Sequence, residues 1–392
     1  MPDARFPFPE SGGAGPAPEF DEIPDRRPCP VSLYGGAPAL LLTAYEDVRR
    51  VVTDPRFDRV GAARVGLTNR SPDSLEHNEA DAPDPARRRR TITTAFTARR
   101  AQTLTPEIEA IVAELIDDLR ARGGEAEFHD AFAQPLAVRV ICRLLGIPYA
   151  DYKTFGPLVE ILMSATAYPP EQVRQAHGQL FAYFAEFYDQ RAAQQSPAEN
   201  DVLTDLIEAT RSGEPMSREE AINAGYGLLM AGYETTSHQL AICLYLLLSE
   251  RDRWERLRAE PELVPTAVEE LLRSTSLLST GGAPHIAAVP ATLGDTPVEP
   301  GQVMVPVFAA ANRDPRAFDR PDEIILDRSP NPHLAFGHGR HVCLGASLAR
   351  IELTAAISGL LRELPTLRLT GADLKWREGT FIRGLTALPV RW

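Results

Sequence analysis

The stretch Phe336–Gly345, FGHGRHVCLG, runs straight into ASLARIELTAAISGLLREL (346–364) and decides how this chain is read. Its glycines, Gly337, Gly339 and Gly345, permit a tight loop and close approach to something flat. Beyond Gly345 the apolar residues recur at helical spacing, so Cys343 lies just ahead of a helix N-terminus. Amide N–H groups and the helix dipole favour an anionic sulfur there. A thiolate held in this way is a good axial ligand for haem iron. A lone cysteine at a loop-to-helix join is more commonly an inert core residue. The surrounding glycines, Phe336 and histidine favour ligation.

Outward from this loop the chain reads as mainly helical with small β-sheets. The segment TPEIEAIVAELIDDLRARG puts Ile108, Ile111, Val112, Leu115, Ile116 and Leu119 on one helical face, closed by Gly123–Gly124. AQPLAVRVICRLLGIP predicts a second helix ended by Gly146 and Pro148. A third covers about 171–193, with Phe181, Phe184, Phe187 and Tyr188 at core spacing. Gly225–Leu248 predicts one long buried helix. It is long enough to span a bilayer, but Glu234, His238 and Gln239 in its middle argue for a protein interior. A further helix at about 261–273 precedes short strands with Gly and Pro turns at about 280–310. A short β-like run at Ala39–Leu42, followed by a helix from about Ala44, opens the folded unit, and another β-like stretch ends it. Residues 1–38 are Pro- and Gly-rich and read as an extended lead-in to a single unit over 39–392. The polar, broken stretch 61–84 reads as a long functional loop.

Three more motifs stand in order before the cysteine loop: Ala231-Gly232-Tyr233-Glu234-Thr235-Thr236, Glu270-Leu271-Leu272-Arg273, and Ala311-Asn312-Arg313-Asp314-Pro315 with Phe318, Pro321 and Asp322. With Phe336, Gly339, Cys343 and Gly345 in the register FxxGxxxCxG, the chain resembles the cytochrome P-450 superfamily, in particular short bacterial members of the natural-product tailoring type. The resemblance runs from about residue 40 to the end. It implies a single haem-enclosing domain of the P-450 fold, haem b as cofactor with an axial thiolate from Cys343, and Glu270 and Arg273 bracing the proximal side of the haem. Arg328 is the candidate third partner of that pair.

An acid beside a hydroxyl in an apolar helix is costly to bury without partners. Within the resemblance, Glu234 and Thr235 are the catalytic candidates, relaying protons to haem-bound dioxygen in a pocket closed to bulk water. The plainer reading is that Thr235 bonds back to the preceding turn and Glu234 makes a structural salt bridge. Gly232 is expected to relieve crowding where the helix passes the iron.

Haem propionates require cationic or hydrogen-bonding partners. By resemblance these are His341 and Arg89. Pro85 stands where the family pairs a histidine with that arginine, and His285 stands where many members carry a second arginine. The cofactor-binding set is therefore Arg89, His285, Phe336, Gly337, Gly339, His341 and Gly345. Resemblance also places substrate contacts at Leu229, Gly232, Leu278, Phe381 and Ile382, and in the regions 61–84 and 160–180.

The remaining composition limits the partners. The net charge of −13 disfavours nucleic acid, and the run Arg87–Arg90 has no aromatic interleaving. Cys29, Cys142 and Cys243 form neither a disulfide framework nor a paired zinc motif, and read as lead-in or core residues. No basic-then-apolar leader opens the chain, so a soluble, cytoplasmic monomer without membrane contact is expected. The length is taken up by the haem domain. Electrons are therefore expected from a separate ferredoxin and its NAD(P)H-dependent reductase, docking near Arg340 and Arg350. The leading function is a haem-thiolate monooxygenase acting on a small organic, secondary-metabolite-type substrate with O2. Alternatives are oxidative C–C or C–O coupling or ring closure on the same scaffold, or a non-catalytic haem-binding sensor or docking module.

Overall fold

The computed structural model describes residues 4–8, 13–59, 65, 67, 97–194, 200–211, 216–371 and 374–392. Two short strands, β1 (Arg5–Phe6) and β2 (Cys29–Leu33), precede β3 (Pro38–Leu42), the helix α1 (Tyr45–Thr53) and β4 (Phe57–Arg59). The helical half then follows: α2 (Ala98–Thr103), α3 (Thr105–Ala121), the strand β5 (Glu125–Glu127), α4 (Gln134–Leu145), α5 (Tyr152–Leu162), α6 (Pro170–Ala193) and α7 (Val202–Arg211). Next come α8 (Arg218–Gly232), α9 (Glu234–Ser249), α10 (Arg251–Ala259) and α11 (Val264–Ser274). Strands β6 (His285–Ala287), β7 (Ala291–Leu293), β8 (Thr296–Val298) and β9 (Val303–Pro306) lead to the short α12 (Phe308–Ala311) and the long α13 (Ala346–Glu363). Strands β10 (Arg368–Leu369) and β11 (Pro389–Arg391) close the chain.

Helix α3 buries Ile108, Val112, Leu115, Ile116 and Leu119, the stripe its periodicity predicts, with Ile111 at the edge. It lies along α13, where Gly359 allows close approach: a Cβ there would meet Val112 Cγ1 at 2.8 Å and Ile116 Cδ1 at 3.0 Å. Gly146, at φ +74°, ends α4, a conformation glycine adopts without steric cost. The main sheet has the order β1-β2-β3-β9-β6-β4, with β3 parallel to β9 and β4 antiparallel to β6. That last pairing sets Arg59 opposite His285.

Residues 1–38 depart from an extended lead-in. β2 is hydrogen-bonded to β3, so position 38 falls inside a sheet rather than at a boundary. Phe6, Phe20 and Ile23 are buried, and Arg26 donates to the carbonyls of Ala310 (2.8 Å) and Arg313 (3.0 Å). Proline and glycine shape these turns, but the aromatic residues between them carry enough apolar surface to dock.

The single helix expected over 225–248 is two. α8 ends at Gly232, Tyr233 adopts φ −113°, ψ −40°, and α9 begins at Glu234. Hydroxyl groups take over carbonyls around the break: Thr235 Oγ1 donates to Ala231 (2.8 Å), Thr236 Oγ1 to Gly232 (3.3 Å) and Ser237 Oγ to Glu234 (3.2 Å). Such side-chain competition loosens a helix ladder. Among the described residues no helix is long and apolar enough to cross a membrane.

Candidate haem and oxygen-activation site

The loop before α13 is held by its backbone. Gly337 N–H donates to Leu334 (2.9 Å), and Cys343 N–H donates to the Phe336 carbonyl (2.8 Å). Gly337 and Gly339 have φ of +74° and +71°, which L side chains rarely adopt. The reason for Gly339 is not a flat partner: a Cβ there would meet Thr53 Cγ2 at 2.7 Å and the Val52 carbonyl at 3.2 Å, so glycine lets the loop seat on α1. Gly345 is the N-cap residue of α13, and a Cβ there would lie 3.9 Å from Cys343 Sγ, ordinary contact. Cys343 is exposed, whereas Cys29, Cys142 and Cys243 are buried. Burial raises the thiol pKa of all three, to about 12 for Cys142 and Cys243, so they stay protonated.

Arg350 was expected at a docking face. Its guanidinium, on a side chain 40% exposed, is bidentate to Glu269 (2.7 and 2.8 Å) and sits over the Phe336 ring at 4.5 Å. Its charge is satisfied within the protein, where it braces the cysteine loop. Arg340 is exposed.

Between α11 and the segment 312–331 lies a buried ion cluster. Arg273 donates bidentately to Glu270 (both 2.8 Å), and Arg328 Nε reaches both Glu270 oxygens (3.0 and 2.9 Å). The surplus positive charge is met by carbonyls: Arg273 donates to Asn312, Pro321 and Glu323, and Arg328 to Asp319, Arg320 and Glu323. Buried charges require such partners on every donor. The cluster ties α11 to the segment 312–331 that leads to the cysteine loop.

Three basic groups converge at the edge of the main sheet. Arg59 Nη1 donates to His341 Nδ1 at 3.1 Å, since a guanidinium only donates. That fixes the His341 proton on Nε2. His285 is buried on β6, and its Nδ1–H donates to the Ala283 carbonyl (3.0 Å). Burial, helped by the charges of Arg59 and Arg340, lowers its pKa to about 4. Arg59 escaped the sequence reading because it is 282 residues from its partner and in no motif. Arg89, Pro85 and most of the 61–84 loop lie outside the described residues.

On the other face, Glu234 is buried at the helix break. Arg377 Nη1 donates to its Oε1 at 2.7 Å, and His238 Nε2 lies 3.3 Å from the same oxygen. Burial raises the carboxyl pKa, but His238 and the Arg377 guanidinium outweigh it and hold the group down at about 2. His238 is itself kept neutral by burial, its pKa lowered to about 4, so Arg377 is the standing counter-charge at neutral pH. Arg377, 143 residues from Glu234, also carries no sequence signal.

The substrate-contact candidates divide. Leu278 is 40% exposed and Phe381 half-buried, and an antiparallel bridge joins Leu278 to Ile382. Leu229 has no exposure and Ile382 only 3%. Gly232 faces not an open space but Ile141 of α4, whose side chain fills the position a Cβ would take. The glycine serves a helix crossing.

The sequence matches the cytochrome P450 family over residues 28–366. It is 37% identical to mycinamicin IV hydroxylase/epoxidase of Micromonospora griseorubida, over 99% of this chain and 98% of that protein. It is 39% identical to nocardicin C N-oxygenase of Nocardia uniformis, covering 96% and 95% respectively. Among solved structures, the LnmA cytochrome P450 hydroxylase of the leinamycin pathway of Streptomyces atroolivaceus superposes with a TM-score of 0.89 at 39% identity, covering 99% of this chain and all of that one. Such relatives are oxygen-inserting enzymes of secondary metabolism, and the coupling alternative is not favoured. A protein of this type requires haem, a substrate and redox partners. With the family model matching most of its length and relatives at 37–39% identity covered nearly end to end, the chain belongs to the cytochrome P450 family of haem-thiolate monooxygenases.

Proposed function

We propose that this protein inserts one oxygen atom from dioxygen into a small natural product, with haem b held through the Cys343 thiolate. The observation carrying this reading is the state of Cys343. It is the exposed cysteine among four, its N–H is anchored to Phe336, and the first turn of α13 follows it. The donors at the sheet edge suit a haem. His341 accepts from Arg59 on Nδ1, which places its proton on Nε2, and by resemblance it is a propionate partner. Arg59 adds charge, and Arg89 joins them by resemblance. His285 has committed its Nδ1–H to Ala283, so it meets a propionate by taking a proton on Nε2, which the carboxylate's charge favours.

When bound, the haem supplies dioxygen binding and reductive activation. Thr235 gives its hydroxyl hydrogen to the Ala231 carbonyl, which leaves its oxygen free to accept a hydrogen bond. Glu234, beside it, is the buried acid that carries protons to that point. Leu278 and Phe381 border the substrate space. The substrate class is an actinomycete-type secondary metabolite, by analogy with relatives named for mycinamicin IV and nocardicin C. The protein acts as a cytoplasmic monomer, fed by a ferredoxin and its NAD(P)H-dependent reductase, with Arg340 on the docking face.

The test is the reduced carbonyl spectrum. The wild type is expected to show the red-shifted Soret band of thiolate-ligated haem and Cys343→Ser to lose it. An imidazole-type spectrum in intact protein overturns the assignment. Spin-state titration against a secondary-metabolite library, then product mass, identifies the substrate and the oxygen gained.

A further inference from the structure

The N-terminal stretch that reads as a lead-in is joined to the substrate side through one arginine. Segments 276–279 and 380–383 pair only briefly. Leu278 bridges Ile382, Arg383 N–H donates to the Leu277 carbonyl (2.8 Å), and Ser279 N–H donates to the Phe381 carbonyl (3.0 Å). Ser279 Oγ adds a bond to the Thr380 carbonyl (2.6 Å). A two-stranded pairing this short is marginal by itself, so its place depends on what anchors it.

Two anchors hold it. The first is the chain just after α5: Phe381 N–H donates to the Met163 carbonyl (2.8 Å), and the amides of Ala165, Thr166 and Ala167 converge on the Gly379 carbonyl (2.8–2.9 Å). The second is segment 13–15. Ser276 N–H donates to the Ala14 carbonyl (2.8 Å). Arg383 Nη1 donates to the carbonyls of Gly15 (2.6 Å) and Ser276 (3.3 Å), and Nη2 to that of Gly13 (2.7 Å). Ala14 is 6% exposed and Arg383 only 4%, and the guanidinium also lies over the Trp376 ring at 5.4 Å. Hydrogen bonds from a charged donor are about twice as strong as neutral ones, which makes Arg383 the principal link between segment 13–15 and the pairing.

We propose that Arg383 is a positioning residue for substrate selection: by clamping Gly13–Gly15 onto Ser276 it fixes where Leu278 and Phe381 stand, and so the size and shape of ligand the pocket accepts. This rests on Leu278 and Phe381 bordering the substrate space, as in the proposed function. Leu278 follows Ser276 by two residues and Phe381 precedes Arg383 by two, so the backbone carries any shift at the clamp to both. With the clamp in place the wall is ordered before a ligand arrives, and a bulky ligand does not bear that ordering cost on binding. A ligand too small to reach the wall is indifferent to it.

Two azoles that coordinate ferric haem separate these effects in the full-length holoenzyme. Imidazole reaches the iron without reaching the wall, whereas clotrimazole presses a bulky triaryl group against it. Arg383→Gln is expected to weaken clotrimazole binding about tenfold, read from the Soret shift, while imidazole binding stays within about twofold of wild type. Ala14→Leu forces volume beneath segment 13–15, leaves Arg383 in place, and is expected to give the same pattern. Because both act through one clamp, the double variant is expected to lose about tenfold rather than about a hundredfold. Unchanged clotrimazole binding in Arg383→Gln, an equal loss for both azoles, or a multiplied loss in the double variant overturns the proposal. Should Arg383→Gln fail to load haem, Ala14→Leu reads the same ratio of affinities.

Phe381→Ala keeps the two readings apart. If it leaves clotrimazole binding unchanged, the wall does not border the pocket, and the proposal falls with that placement. If Phe381→Ala changes clotrimazole binding but Arg383→Gln does not, the placement stands and the clamp alone is refuted.

Discussion

Replacing Glu270 by glutamine tests the reasoning about the buried cluster most directly. The carboxylate has no exposure and accepts from Arg273 Nε and Nη2 (2.8 Å each), Arg328 Nε, Ile325 N–H (2.8 Å) and Asn331 Nδ2 (3.2 Å). Glutamine keeps the shape but deletes the charge. One half of its amide then points donors at a guanidinium, and two buried cations lose their only carboxylate in the cluster. Removing one partner of a buried ion set costs about 3–5 kcal/mol, because the charge left behind is uncompensated. With a denaturant slope of ~3 kcal/mol per molar, the urea midpoint of the haem-loaded protein falls by about 1 M or more. The assay follows the Soret band and far-ultraviolet circular dichroism together. Haem is released at lower urea, because the cluster anchors the segment leading to the cysteine loop. The control is Asp189→Asn, which breaks an exposed pair with Arg218 and is expected to cost less than about 1 kcal/mol. A Glu270→Gln loss as small as the control's would refute the claim that burial sets the value of this cluster.

Thr235→Ala is expected to leave haem content unchanged and to divert electrons to peroxide, measured as peroxide formed per NADPH oxidised; unchanged coupling removes Thr235 from the relay. His238 is neutral when folded, with its pKa lowered to about 4 from 6.5 chiefly by burial. Its contribution is therefore complete above about pH 6.5 and is lost as pH falls towards 4, an effect of about 2–3 kcal/mol that His238→Gln should remove from urea midpoints measured across that window. Gly339→Ala forces an L side chain into positive φ and against Thr53. A loss of about 1–3 kcal/mol and a weakened carbonyl-complex signal are expected, whereas wild-type behaviour would show that the loop seats on α1 without needing glycine.

Much of the fold was legible because its signals are local. The stripe of α3, the Gly146 stop of α4 and the glycine-bearing loop ahead of α13 are written in residues a few positions apart, and short-range sterics decide them. The order of the four motifs was likewise readable, and with it the family. The break at Tyr233 was not, because the apolar pattern continues through it and only the competition of three hydroxyls for carbonyls interrupts the ladder.

What the sequence by itself determined is the chemistry at each local site: a thiol at a helix start, an acid beside a hydroxyl, a glutamate three residues before an arginine. What only the tertiary structure decided is which cation serves which acid. The chain holds 39 arginines, and nothing nearby in sequence marks Arg377 for Glu234, Arg59 for His341, or Arg350 for Glu269. Ion pairing depends on distance and burial in space, and segments 81 to 282 residues apart meet only once the helices and sheet have packed.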